Sequence, residues 1–192
     1  YFLWFGVPAR GVPGKRIVVW WSGELLVHRN VGNGVRVTEF NWLSVLQFAI
    51  EVLKVKHILV VGHYGWGGVR AAWLNEGFGL ISNWLRHVQD VRDRHQQVLD
   101  DLPNVQDRVD RLCELNVVEQ VGHVCQNNIV QEAWRRGQPL TVHGFVYDVA
   151  DGILRDMGLS VASEEDRERV RQNSIDELVQ RPVRSGRQKV VQ

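Results

Sequence analysis

Apolar and polar positions along this chain fall into short stretches that sort readily into strands and helices. Tyr1-Phe2-Leu3-Trp4-Phe5-Gly6 reads as a buried strand ending in a turn glycine, and a start this deep in a core predicts a further segment N-terminal to it. Glu24 to His28 is a second strand, introduced by Ser22-Gly23 and left through Asn30 to Gly34. Ile17 to Trp21 is equally strand-like, and periodicity alone does not rank the two. From Asn41 to Lys54 the apolar positions 42, 43, 45, 46, 49, 50 and 53 follow the spacing of one helix face, with Thr38 or Asn41 as the cap. His57 to Gly62 is a continuous apolar run of strand length, as in a parallel sheet covered on both faces. A glycine-rich turn, His63-Tyr64-Gly65-Trp66-Gly67-Gly68, then leads into a short helix from Val69.

The second half reads mainly as helix. Ile81 to Val98 carries its charge on one side, and the charges of Arg86 to Arg94 suit a solvated helix face. A long helix is predicted from Asp107 or Asp110 to Arg136, stopped by Gly137 and Pro139. Leu140 to Tyr147 is expected to be the last strand. Ser163 opens a polar helix to Leu178, and 181–192 is expected to be a mobile basic tail. Strands alternating with helices predict one α/β domain over 1–192, with a mainly parallel β-sheet core flanked by helices.

Composition narrows the functions open to such a domain. With 44% hydrophobic and 23% charged residues among 192, the chain can bury a real core. A net charge of +1 is too balanced for a nucleic-acid partner held by charge, and no apolar run is long enough to imply a membrane partner. Cys113 and Cys125 lie on the same predicted helix, too far apart to pair, and point to core thiols and a cytoplasmic setting. Trp20, Trp21 and Trp42 belong either to the core or to a subunit interface.

The glycine-rich turn is the most informative local feature. Ligands of open α/β sheets sit at the carboxyl ends of strands, where His63 stands. Its glycines match neither a dinucleotide fingerprint nor a phosphate loop. The run Val60 to Val69 resembles the β-carbonic anhydrase signature, in which His-x-x-Cys-Gly-Gly supplies two zinc ligands and Gly67-Gly68 would form the active-site turn. Gly23 to Asn33, Leu43 to Gln47, Gly79 to Leu85, Leu112 to Val117 and Val142 to Tyr147 with Asp151-Gly152 are similar to the bacterial type in the same order. The resemblance covers nearly all of the chain from Phe2 to about Gly158.

The departures fall on the chemistry. Where the family has Cys-x-Asp-x-Arg, this chain has Val7-Pro8-Ala9-Arg10-Gly11. The resemblance therefore puts Val7 and Trp66 in the places of two zinc-ligating cysteines, and Ala9 and Gly11 in those of the catalytic Asp–Arg pair, whose Asp is also an exchangeable fourth zinc ligand; Arg10 is one place off. Of the ligand set only His63 survives, and one imidazole does not hold zinc in a shell of about four N, S or O donors. The resemblance also implies a bicarbonate site away from the metal, at Trp4, Arg29 and Tyr147. A guanidinium takes an oxyanion bidentately, and an indole N–H or phenol O–H adds further donors.

By family, the expected function is reversible hydration of carbon dioxide to bicarbonate at one zinc per chain, in a homodimer or homotetramer. With these residues at 7, 9, 11 and 66 the site is expected to hold no zinc and to be inactive. The alternative is a catalytically dead member acting as an oligomeric structural or bicarbonate-binding protein.

Overall fold

The computed structural model describes residues 1–6 and 25–182. Its strands are β1 (Phe2–Gly6), β2 (Leu25–Arg29), β3 (His57–Tyr64), β4 (Thr141–Asp148) and β5 (Ile153–Val161), in one sheet of order β2-β1-β3-β4-β5. The first four are parallel, as expected, and β5 joins β4 antiparallel at the edge. β5 corrects the expectation that the strand at Leu140–Tyr147 is the last. Its middle carries Arg155, Asp156 and Gly158, and only Met157, Leu159 and Val161 are buried, so no apolar run marks it.

Helices follow in the order α1 (Phe40–Gln47), α2 (Gly67–Leu74), α3 (Leu80–Arg94), α4 (Gln96–Asp100), α5 (Val105–Cys125), α6 (Asn128–Arg135) and α7 (Glu164–Gln180). α1 runs on into a wider π turn at Phe48–Val52, and Glu39 rather than Thr38 or Asn41 stands at its N-cap. The long helix predicted to reach Arg136 is two helices. Asn127 breaks it, its side chain accepting a hydrogen bond from Ile129 N–H as the N-cap of α6. Asn104 caps α5 in the same way through Asp107 N–H, which moves the start ahead of Asp107. Ser163 caps α7 as expected, and Cys113 and Cys125 are buried free thiols on α5. The alternative strand at 17–21 and most of the tail expected at 181–192 lie outside the described residues.

Partners in a parallel register share a face of the sheet. Leu3, Phe5, Ile58, Val60, Val142 and Val146 face the main core, where α5 packs on β3 and β4. Contact there is close: a Cβ on Gly62 would lie 2.5 Å from Val117 Cγ2, and one on Gly144 3.2 Å from Val117 Cγ1. Trp42 belongs to this core, fully buried with its ring 4.3 Å from Phe5, and not to a surface between subunits. The opposite face carries a smaller cluster built on Trp4, Leu25, Leu59 and Val61, with Phe145 and Tyr147 against it.

α5 is buried from Val109 onward except at His123, and several of its buried polar side chains meet partners from other elements. Glu119 receives hydrogen bonds from Arg94, from His95 at 2.8 Å and from Arg171 at 2.6 Å, joining α3 and α7 to the central helix. Glu114 accepts from Tyr64 Oη at 2.5 Å and from Arg181 at 2.9 Å. Asn116 donates to the Gly32 carbonyl and Gln120 accepts from Val35 N–H, which pins the turn after β2 against the helix.

Candidate functional site

His63 stands at the carboxyl end of β3, in register with Tyr147 on β4. Its Nδ1–H donates to the Tyr64 carbonyl at 2.9 Å, and its Nε2 is buried with no hydrogen-bond partner among the described residues. Burial pulls its proton affinity down against that backbone bond, so the ring is neutral near pH 7 with the Nε2 lone pair unused. This is the posture of a metal-ligating imidazole, oriented by a bond from its other nitrogen.

Trp66 stands three residues on, at the N-cap of α2. Its ring is half-buried and lies across Gly68, where a Cβ would meet it at 2.2 Å, and against Gly32, where a Cβ would meet it at 3.0 Å. Gly68 at this turn therefore makes room for an indole. Gly68→Ala is expected to destabilise the fold by about 1–3 kcal/mol, the usual penalty of overpacking. In a Trp66→Ala background the same change should cost almost nothing, and thermal melts of the two single variants and the double variant check it. A cavity of about 700 Å³ opens beside the ring, lined by Val31, Trp66, Gly67, Phe78, Ile81 and Leu85 among others.

A zinc ion does not fit the donors present. His63 offers one nitrogen, and the indole of Trp66 offers no lone pair for a metal. Val7, Ala9 and Gly11 lie outside the described residues, and their side chains contain no donor atom in any placement. Cys113 lies against the Trp66 backbone, and burial above all pushes its thiol well up; even counted together with His63 it would make two donors, short of a zinc shell. Among the described residues, no group of three or more His, Cys, Asp or Glu side chains could hold a metal ion.

The three residues of the expected anion site lie on the same face of the sheet. Trp4 pairs in register with Val27 and Leu59, Arg29 with Gly6, and Tyr147 with His63, which puts all of them on the side of the smaller cluster. Trp4 Nε1 points along β1 toward the Arg29 row, so close to Gly6 that a Cβ there would lie 2.6 Å from it. Among the described residues, Arg29 Nε is buried with no hydrogen-bond partner. A buried guanidinium N–H left without an acceptor costs roughly 1–3 kcal/mol until something fills it. Residue types alone do not reveal the ties that hold this end of the sheet, Asn116 to Gly32 and Gln120 to Val35, because polar residues are spread all along α5 and nothing in its pattern marks these two.

The sequence profile of the family described as Carbonic anhydrase matches residues 10–154. The carbonic anhydrase of Emericella nidulans is 37% identical over 158 residues, covering 82% of this chain and 69% of that protein. The Coccomyxa β-carbonic anhydrase, solved in complex with acetazolamide, superposes with a TM-score of 0.83 at 35% identity, over 92% of this chain and 82% of that one. One of two tetrameric β-carbonic anhydrases from Sordaria macrospora gives a TM-score of 0.78 at 32% identity, over 84% and 82% of the two chains. With profile, sequence and fold in agreement, this chain belongs to the β-carbonic anhydrase family.

Proposed function

We propose that this chain binds bicarbonate at Trp4, Arg29 and Tyr147, and that it does so as a family member without zinc and without carbon dioxide hydration. The observation that carries this is the buried Nε of Arg29, which meets no hydrogen-bond partner among the described residues, on the sheet face shared with Trp4 and Tyr147. Bicarbonate is small, planar and anionic, and offers oxygen acceptors to a guanidinium, an indole N–H and a phenol O–H together. Self-association as a homodimer or homotetramer goes with this reading. The exposed Phe40, Phe48 and Val52 along α1 and its π turn support it, as does the tetrameric state of the Sordaria relatives. Two free, buried cysteines suit a cytoplasmic setting.

Titration with ¹³C-bicarbonate followed by NMR line broadening tests the proposal. A dissociation constant in the millimolar range is expected, worth on the order of 4 kcal/mol. Arg29→Ala should weaken it by roughly ten- to a hundredfold, the loss of a charge-assisted pair of hydrogen bonds, and Tyr147→Phe by less. Saturation unchanged in Arg29→Ala would remove the site.

The second reading is the family's reaction, reversible hydration of carbon dioxide at zinc. His63 favours it, because its neutral ring still presents an Nε2 that no described residue engages. It would need further donors from positions 7, 9 and 66, where valine, alanine and tryptophan supply none.

A further inference from the structure

Three side chains on neighbouring strands form a hydrogen-bonded line that the sites above do not use. Ser160 Oγ on β5 lies 2.8 Å from His143 Nδ1 on β4, and His143 Nε2 lies 3.0 Å from His57 Nδ1 at the start of β3. The ring centroids of the two histidines are 5.2 Å apart, a gap that the bond and the two ring radii account for, so the imidazoles meet end to end. Ser160 is the direct cross-strand partner of His143, and His57 pairs with Thr141 two positions earlier. His63 lies six residues further along β3, about 20 Å away at the usual rise of a strand.

A neutral imidazole has one N–H and one lone pair. With the proton on His143 Nε2, donated to His57 Nδ1, the lone pair on Nδ1 faces the Ser160 hydroxyl. That is a nucleophile within reach of a base, the base itself oriented by a third group. The oxygen is accessible and the base is shielded, since Ser160 is exposed while both histidines are half-buried. His57 is steadied by stacking on Phe2, with centroids 5.1 Å apart. Burial lowers the proton affinity of both rings and keeps them neutral, while Asp156 acts in the opposite sense on His143 and favours the imidazolium that proton transfer creates.

We propose that Ser160 is a nucleophile toward activated acyl and phosphonyl donors, with His143 as its general base and His57 as the residue that positions His143. In the acyl case Ser160 Oγ bonds to the ester carbonyl carbon while its proton moves to His143 Nδ1. The bond from that carbon to the leaving oxygen then breaks, and the leaving group takes the proton from His143. Water, deprotonated by the same nitrogen, releases the acid and restores the serine. Phe145, half-buried on the same face with its ring 6.3 Å from His143, gives the apolar part of an aryl ester a surface to rest on. A neutral His57 supports the imidazolium less than a carboxylate would, which restricts the array to donors with good leaving groups.

The test is to treat the folded chain with a fluorophosphonate probe, locate the adduct by tandem mass spectrometry, and follow p-nitrophenyl acetate cleavage alongside. One dominant adduct on Ser160 is expected, absent in Ser160→Ala. His143→Gln, which keeps hydrogen bonds to both neighbours but accepts no proton, should slow labelling at least a hundredfold. His57→Phe should slow it about tenfold, and His57→Gln, whose amide oxygen still accepts the Nε2 proton, should recover most of that loss. Thermal melts close to the parent's would show that these variants fold. Labelling spread evenly over surface serines, or a Ser160 rate unchanged in His143→Gln, overturns the proposal. Neither result bears on bicarbonate binding, which uses none of these residues.

Discussion

Purified from zinc-replete medium, this chain is expected to retain no stoichiometric zinc and to hydrate carbon dioxide no faster than buffer. The variant carrying Val7→Cys, Ala9→Asp, Gly11→Arg and Trp66→Cys should instead bind zinc close to one per chain. The size of the effect follows from donor number. One imidazole gives zinc a single bond, whereas two thiolates, an imidazole and a carboxylate complete its tetrahedron. Complete protein sites bind zinc with an apparent 10–16 kcal/mol or so at neutral pH, so apparent affinity should rise by many orders of magnitude. Metal analysis after dialysis against a weak chelator measures this directly. Stoichiometric zinc in the parent chain would show that other donors replace the lost ones and would end the metal-free reading. The Trp66→Cys change also vacates the space over Gly68, so the fourfold variant should tolerate Gly68→Ala where the parent does not.

Glu119→Gln should be the most damaging single change in the interior. The carboxylate is 3% exposed and meets Arg94, His95 and Arg171. Burial works to raise its pKa, but the hydrogen bonds of His95 and Arg171 and the charges of Arg171 and Arg94 outweigh it and hold the group at about 2. Removing the charge leaves Arg171 and the half-exposed Arg94 short of their counter-charge, at a cost of about 3 kcal/mol, the low end for a broken buried pair because Arg94 keeps its water. For a chain of this size that is a fall in Tm of roughly 10 °C. The pH dependence has a definite sign. A depressed folded-state pKa stabilises fully above the ordinary value of 4.5, and that contribution, about 3 kcal/mol, disappears as pH falls through about 2. Urea melts between pH 5 and pH 2 should show the parent losing this stability and Glu119→Gln losing much less of it. Parallel losses in both would remove Glu119 as the origin.

β1 and β3 were legible because each is a nearly continuous apolar run that reads the same whatever it packs against, and β4 because its apolar residues recur at alternate positions. β5 was not, since it is an edge strand with one solvated side, and Arg155, Asp156 and Gly158 break its alternation beside a bulge at Gly144/Phe145. The break between α5 and α6 has no glycine or proline to announce it, and rests on one asparagine turning its side chain to Ile129 N–H. At the site, His63 and its turn stood out by residue type. The seat of Trp66 over Gly68 did not, because a ring's direction is set by what surrounds it in space. The Glu119 cluster was out of reach for a related reason, its members lying at 94, 95, 119 and 171.

The place of β3 in the sheet also governs how the chain must be made. β3 is bonded on one side to β1, through Phe2↔His57, and on the other to β4, through His57↔Thr141. Pairings so distant along the chain fold slowly, because a long loop must close before any contact rewards it. On the ribosome, β3 emerges well ahead of β4, and at about 5–20 residues per second its second edge stays unpaired for roughly 5–20 s. During that interval an apolar strand with an open edge is a template for pairing with other chains. A nascent chain halted before Thr141 keeps that edge open for as long as it persists, so premature termination should yield aggregates rather than a smaller folded protein.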